Sequence, residues 1–516
     1  MPHEYQRFPY VAPPGLTEAE PRHPVVIVGA GPVGLAAALD LAGQGIACLV
    51  VDDNDVVSVG SRAICWSKRS LEILDRLGLG EACLARGVTW KVGRTFHRTA
   101  EVFSVDLQPE AGHKMPAFVN LQQYHVEAHL IRAALASPLV ELRFLNRVTG
   151  LRQEAEGVTL RVETPDGSYD LPAAWVLACD GASSPIRRMM GLDFTGDLFE
   201  DRFLIADIEM RADTPPERWF WFEPDFHPGQ SALLHKQPDN IYRIDLQLGW
   251  DADVEAERQP DRIRPRIEKV VGHGDFRLDW SSVYTFQCRR LDRFVHERVI
   301  FAGDSAHVVS PFGARGGNGG LQDVDALGWR LAAVVNGADP EILTDYERER
   351  RHAADENIRN SSRATRFMSP APGAERWFRD ATLALAAHAE FARPMVNSGR
   401  LSVPCRYPLA GAPDDATLPD LSAPGCVAPD APLGDGWLLN RLGGQVSLLV
   451  LNRPPPQGTG LPCLAPPPDD LLRARYLGEA EGAIYLIRPD QVIAARWITA
   501  DPPAIAACAA RLTRPA

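Results

Sequence analysis

Three groups of residues in this chain have types and spacings that could do chemistry together. The first is the string Gly29-Ala30-Gly31-Pro32-Val33-Gly34. In a G-x-G-x-x-G pattern, Gly29 permits a tight turn, Gly31 lets backbone approach a pyrophosphate, and Gly34 lets a helix pack on a strand. Pro32 belongs to the same cradle. Asp52 follows 23 residues after Gly29, near the offset of about 20 at which an acid takes a ribose hydroxyl. The second group is Cys179-Asp180-Gly181-Ala182-Ser183-Ser184-Pro185-Ile186-Arg187. The third is Gly303-Asp304-Ser305-Ala306-His307, followed by Pro311-Phe312-Gly313-Ala314-Arg315-Gly316-Gly317-Asn318. Asp-Gly and Gly-Asp pairs are also common turn formers. Here both stand at the ends of strand patterns, and the three groups together outline one large cofactor surface.

Particular elements must position these groups. Residues 25–28 form a short β-branched run, as a buried parallel strand does, and a helix is predicted over 33–44. Its N–H groups and positive end would face phosphates. A second strand over 47–51 ends in Asp52. Helix and strand patterns then alternate to about residue 192, with amphipathic helices over 67–77 and 126–136 and a buried strand over 174–178. From 194 to 287 the pattern becomes strands separated by turn signals, such as Pro228-Gly229 and Asp239-Asn240. Residues 298–301 return to the first domain and deliver Gly303-Asp304. Helices are expected over 320–336 and 341–366, a proline-rich linker over 404–432, and a small α/β segment after it. The expected fold class is α/β: a Rossmann-like domain, an inserted antiparallel sheet domain and a small C-terminal α/β domain. The boundaries are a flexible arm at 1–24, cofactor domain at 25–193 and 288–403, sheet domain at 194–287, and linker with C-terminal domain at 404–516.

Composition excludes several function classes. With 45% hydrophobic and 23% charged residues, the 516-residue chain is ordinary for a globular protein. A net charge of −13 argues against a nucleic-acid or anionic-membrane surface. The nine cysteines are scattered and never form C-x-x-C, which suits a reduced, cytoplasmic chain with neither a disulfide frame nor a metal site. The apolar stretch 25–51 is interrupted by Pro32, Asp40 and Gln44, so two strands around a helix explain it better than a membrane span.

From about residue 25 to 366 the chain resembles the single-component FAD-dependent aromatic hydroxylases, the family of para-hydroxybenzoate hydroxylase, 3-(3-hydroxyphenyl)propionate hydroxylase and phenol hydroxylase. All three motifs of that family are present. The resemblance implies FAD as cofactor, NADH or NADPH as reductant, and hydroxylation of a phenolic compound with O2 through a flavin hydroperoxide. It assigns Arg62 to the pyrophosphate and Gln123 to the flavin and ribityl chain. Asp180 falls in a motif serving FAD and nicotinamide, while Gly303 and Asp304 fall at the ribityl hydroxyls. Pro311, Gly316, Gly317 and Asn318 lie in the loop that holds the flavin ring, with Pro311 beside its reacting edge. Phe312 departs from the small polar residue of the best-known relative. Longer relatives carry a thioredoxin-like C-terminal domain, and the region from about 408 to 512 is similar to a short version lacking a redox cysteine pair.

A phenol attacked by an electrophilic oxygen needs an aromatic slot, a group that polarises its hydroxyl and a dry cavity. Alternation places Arg243, Asp245 and Gln247 on one face of their strand, and Trp219 and Trp221 on one face of theirs. By alignment to the family, His235 falls at a substrate-contacting place and is the expected hydroxyl partner. Arg243 and Tyr284 join it as catalytic candidates, and Trp221 and Gln247 as further substrate contacts. His307 reads as a structural histidine. The expected partners are a small aromatic molecule and O2, with a homodimer allowed. A halogenase or prenyl-chain reductase on the same fold, and a non-catalytic FAD-binding scaffold, are the alternatives. Trp219-Phe220-Trp221-Phe222-Glu223-Pro224 only partly matches the W-x-W-x-I-P string of halogenases.

Overall fold

The computed structural model describes residues 5–60, 62–249, 251–396 and 401–514. Its first sheet is built on the β-branched run predicted above. Strand His23–Val28 pairs in parallel with Cys48–Val51 on one side and with the end of Gly167–Ala178 on the other. Val140–Arg143 and Val299–Phe301 extend this parallel core outward. Val25, Val26 and Ile27 are fully buried, with helix Pro32–Gly43 packed on their strand and Val158, Leu160 and Val162 of the antiparallel strands in the same core. Helix Pro32–Gly43 starts directly after the glycine turn, and helix Gly316–Val335 packs beside it. The C-terminal ends of the central strands therefore open toward one crevice, the usual ligand position in open α/β sheets.

The second sheet is longer than its sequence signal. Its order runs His307–Val308, Arg277–Arg290, Thr195–Glu209, Ile241–Gly249, Ser231–Lys236, Arg218–Phe222, Val92–His97 and Ala100–Asp106. The last two strands come from the segment 92–106, which the sequence reading left in the cofactor domain. Val92–His97 joins by parallel pairing with Arg218–Phe222, a long-range contact that no local pattern announces. One face of this sheet packs on helix Pro260–Val271 through Ile244, Leu246, Ile263 and Ile267. The other carries Phe203, Phe220, Phe222 and Phe286 and looks toward the cofactor domain.

The N-terminal segment, expected as a flexible arm, is held in place. Phe8 is buried and stacks on Phe144 with ring centroids 4.7 Å apart, and Arg143 donates to Glu20 at 2.7 Å. Residues 1–4 of that expected arm lie outside the described residues. The segment 404–432 has little regular structure, yet Tyr407, Leu418, Ala423 and Ala428 are buried, so it packs as part of the body. After it, a four-stranded sheet runs Cys463–Leu464, Ser447–Leu451, Ala483–Ile487, Ile493–Trp497, with helix Pro502–Thr513 following. The first pair in that order is parallel and the other two are antiparallel. Among the described residues, no helix is long and apolar enough to cross a membrane.

Candidate active site

The glycine string forms a cradle whose three glycines do different work. Gly29 adopts φ +108, and a Cβ there would lie 2.5 Å from the Cys179 carbonyl oxygen. A Cβ on Gly34 would sit 2.0 Å from the Gly29 oxygen, so helix and turn can touch only at glycine. A Cβ on Gly31 would meet no atom within 4 Å; it faces open space, where a pyrophosphate needs close backbone. The cavity beyond it measures about 330 Å³ and reaches from Gly31 and Pro32 to Arg62, Gln123, Asp304, Pro311 and the Gly316–Asn318 turn. Gln123 anchors its wall: its Oε1 accepts from Ala63 N–H at 3.1 Å, and its Nε2 donates to Glu127 at 2.8 Å.

Asp304 is the acid open to this cavity. Gly303, at φ +66, turns the chain so that the Asp304 carboxylate projects inward. The residue is exposed and its carboxylate has no hydrogen-bond partner among the described residues. Surrounding protein pushes its pKa up, with His307 and Arg62 opposing the shift. An acceptor held in this state fits hydroxyl donors of a sugar or ribityl chain. The N-terminus of helix Gly316–Val335 points at the same space and suits negative charge. Asn318 fixes the turn, accepting from Ser67 N–H at 2.9 Å and donating to Cys65 O at 2.8 Å. The residues present thus fit an FAD: open glycine backbone, helix end and an unpartnered acid share one cavity.

The opposite wall is the inward face of the long sheet. Cross-strand register sets Arg218 opposite His235, and His235 opposite Arg243, in one row. One pleat along, about 7 Å away, Asp245 stands opposite Leu233 and Ile205. Arg243 is locked by Asp207 through two bonds of 2.8 Å. His235 is buried, with Cys65 Sγ 3.8 Å from its Nδ1 and the Trp90 ring 6.2 Å away. Burial, helped by Arg218 and Arg243, holds its pKa well below the usual histidine value, so its imidazole is neutral. Arg218 is 8% exposed and makes no ion pair or hydrogen bond among the described residues. Asp245 Oδ1 is buried without a partner, and burial pushes this carboxyl up to about 6 despite nearby Arg243.

A family model described as "FAD binding domain" matches residues 22–361. The chain belongs to this FAD-binding family. A 3-(3-hydroxy-phenyl)propionate/3-hydroxycinnamic acid hydroxylase of Mycolicibacterium smegmatis is 30% identical over 349 residues, 67% of this chain and 61% of that protein. The match spans less than two thirds of that relative's length. A 12-dehydrotetracycline 5-monooxygenase/anhydrotetracycline 6-monooxygenase of Streptomyces rimosus is 32% identical over 406 residues, 76% of this chain and 78% of that one. Among solved structures, the OxyS anhydrotetracycline hydroxylase of Streptomyces rimosus superposes with a TM-score of 0.73 at 27% identity, covering 96% of this chain and all of that one. The flavin-dependent monooxygenase PieE, with FAD and substrate, shares the fold at a TM-score of 0.80 and 22% identity over 97% of this chain and all of that one.

The flavoprotein's cavity does not include every expected residue. Trp221 is a correction: it points to the other face of its strand, stacking on Phe96 with centroids 5.3 Å apart. Alternation gives the face toward the cofactor domain to Arg218, Phe220 and Phe222, and of these Arg218 lines the cavity. Gln247 shares the face of Arg243 but lies past the cavity, tied to Ser231 N–H at 2.9 Å and Ser369 Oγ at 2.6 Å. Tyr284 is half-buried against the aromatic cluster and does not line the cavity. Asp180 also misses it: its Oδ2 accepts from Ile186 N–H at 2.9 Å and caps the next helical turn. Asp52 reaches back to the glycine loop, accepting from Ala30 N–H at 2.6 Å and Asn54 N–H at 2.8 Å. His307 is structural as read, bonded to Asp323 at 2.7 Å. Sequence reasoning missed Arg218 and Asp245. Asp245 was visible as the face-mate of Arg243; nothing local marked Arg218.

Proposed function

We propose that this flavoprotein is a monooxygenase that hydroxylates a phenolic ring, using O2 and NADH or NADPH. The observation that carries this reading is Asp245: a half-buried carboxylate lining the cofactor cavity, with one oxygen buried and unpartnered, beside a neutral histidine and two arginines. When bound, FAD supplies O2 activation and transfer of one oxygen atom to an aromatic carbon. The overall balance is phenol, O2, NAD(P)H and a proton giving the hydroxylated phenol, water and NAD(P)+.

The chain's own residues prepare the ring. Asp245 accepts the phenol proton on its carboxylate; a carboxyl near 6 is a competent base at neutral pH. Neutral His235 orients the hydroxyl by a hydrogen bond. Arg243, fixed by Asp207, stabilises the phenolate that results. Trp90, Phe312 and Leu233 exclude water around the ring. Asp304, Arg62 and the Gly31 backbone hold the cofactor from the other side. Purified FAD-loaded protein should oxidise NAD(P)H slowly alone and much faster with a suitable phenol, placing one atom of labelled O2 in the product. Stimulation without labelled product, or product formed without O2, overturns the reading.

A further inference from the structure

A second cavity of about 520 Å³ adjoins the one just described. The two share Arg218, Phe312, Arg315 and Leu401 in their walls. The outer cavity is largely apolar, walled by Phe220, Phe222, Phe367 and Met368, and its mouth leaves Phe378 and Met395 exposed. Space on this scale accommodates a ligand of several rings, since pockets of roughly 300–1,000 Å³ enclose drug-sized molecules. A one-ring phenol beside Asp245 would leave it empty.

Charge supplies the second half of the argument. Two other arginines are buried in this wall: Arg379 is neutralised by Glu223 and Asp380, and Arg315 donates to Asn357 Oδ1 at 3.0 Å. Arg218 has no such partner, although the residue is only 8% exposed and stands at the junction of the two spaces. An arginine keeps its charge under burial, and with no ion-pair or hydrogen-bond partner among the described residues this one carries a desolvation cost that an incoming anion relieves. We propose that the substrate is a multi-ring phenol bearing a negative charge, with its reacting ring in the inner cavity, its other rings in the outer one and its anionic group on Arg218. This rests on the hydroxylase reading above.

Three probes separate the parts. Rhein has three fused rings, hydroxyls and a carboxylate; danthron has the same rings and hydroxyls without the carboxylate; salicylate has one ring with both groups. Calorimetric titration of the FAD-loaded protein should show rhein binding roughly 10- to 100-fold tighter than danthron, the worth of a charge-assisted hydrogen bond. It should also bind tighter than salicylate. Arg218→Met should close the gap between rhein and danthron, and Arg218→Lys should reopen part of it. Ala374→Trp, on the exposed start of an outer-cavity helix, should weaken rhein and danthron and leave salicylate unchanged. Equal affinity for rhein and danthron, or an unchanged gap in Arg218→Met, overturns the inference. The readout is binding, so failure of the reaction is distinguishable. Protein whose NAD(P)H oxidation ignores every phenol defeats the hydroxylase reading without altering this order. A hydroxylase that prefers salicylate defeats this inference alone.

Discussion

Two clusters of buried charge in this molecule are built in opposite ways. In the first, Glu349 accepts from Arg330 at 3.0 Å and from Arg488 at 2.8 and 2.9 Å, while Arg488 also pairs with Asp490. Next to it, Asp323 accepts from His307 at 2.7 Å and from Arg350 at 2.6 Å. These groups fasten the C-terminal unit to helices Gly316–Val335 and Ile342–Met368. In the second cluster, on the long sheet, only Arg243 has an ion-pair partner; Arg218 has none, and one oxygen of Asp245 has none. The first cluster is closed and holds structure. The second is open, and its unmet electrostatic demand is what a ligand can satisfy.

Breaking the closed cluster should have the largest effect on stability. Glu349→Ala leaves the buried Arg330 without its ion-pair partner and Arg488 with Asp490 alone, and should lower stability by about 3–5 kcal/mol in calorimetric or denaturant unfolding. Acid probes the same region: Asp323, held at about 2 by His307 and Arg350, stabilises the fold above its ordinary unfolded value. That contribution should persist to about pH 4 and disappear as pH falls toward 2. The next effect lies in the cofactor cradle. Asp304→Ala removes an acceptor with no protein partner, so FAD affinity should fall roughly 10- to 100-fold with little change in apoprotein melting.

The open cluster should respond in the other direction. Asp245 is raised on folding, so the protein loses stability as pH rises from about 4 through 6, and Asp245→Asn should melt higher at neutral pH. The gain is at most about 3 kcal/mol. Smallest of all, Trp221→Phe should leave phenol binding and turnover unchanged, because that ring packs on the far face of the sheet.

The contrast also explains what the sequence could tell. Gly29, Gly31, Gly34 and Asp304 were legible because turn geometry and strand-end acids obey local rules. Alternation showed that Trp219 and Trp221 share a face, but it does not say which face meets the cofactor; that phase is fixed by long-range pairing with Ser231–Lys236 and Val92–His97. Asp180 matched its motif, yet one oxygen of its carboxylate was taken by the turn it begins. The open state of Arg218 and Asp245 depends on what neighbouring strands fail to supply, and a missing partner has no local signature. Glu349, Arg330 and Arg488 are likewise distant in sequence, so the closed cluster, too, becomes visible only in the fold.

The central claim is that Asp245 accepts the substrate proton. Its most direct test is the pH profile of phenol-stimulated O2 consumption and product formation in wild type and Asp245→Asn. The wild-type rate should fall as pH drops below about 6, when the carboxyl is protonated. Asp245→Asn should retain FAD, lose that acid limb and run about 10²- to 10⁴-fold slower. A variant that keeps both the limb and the rate would contradict the account.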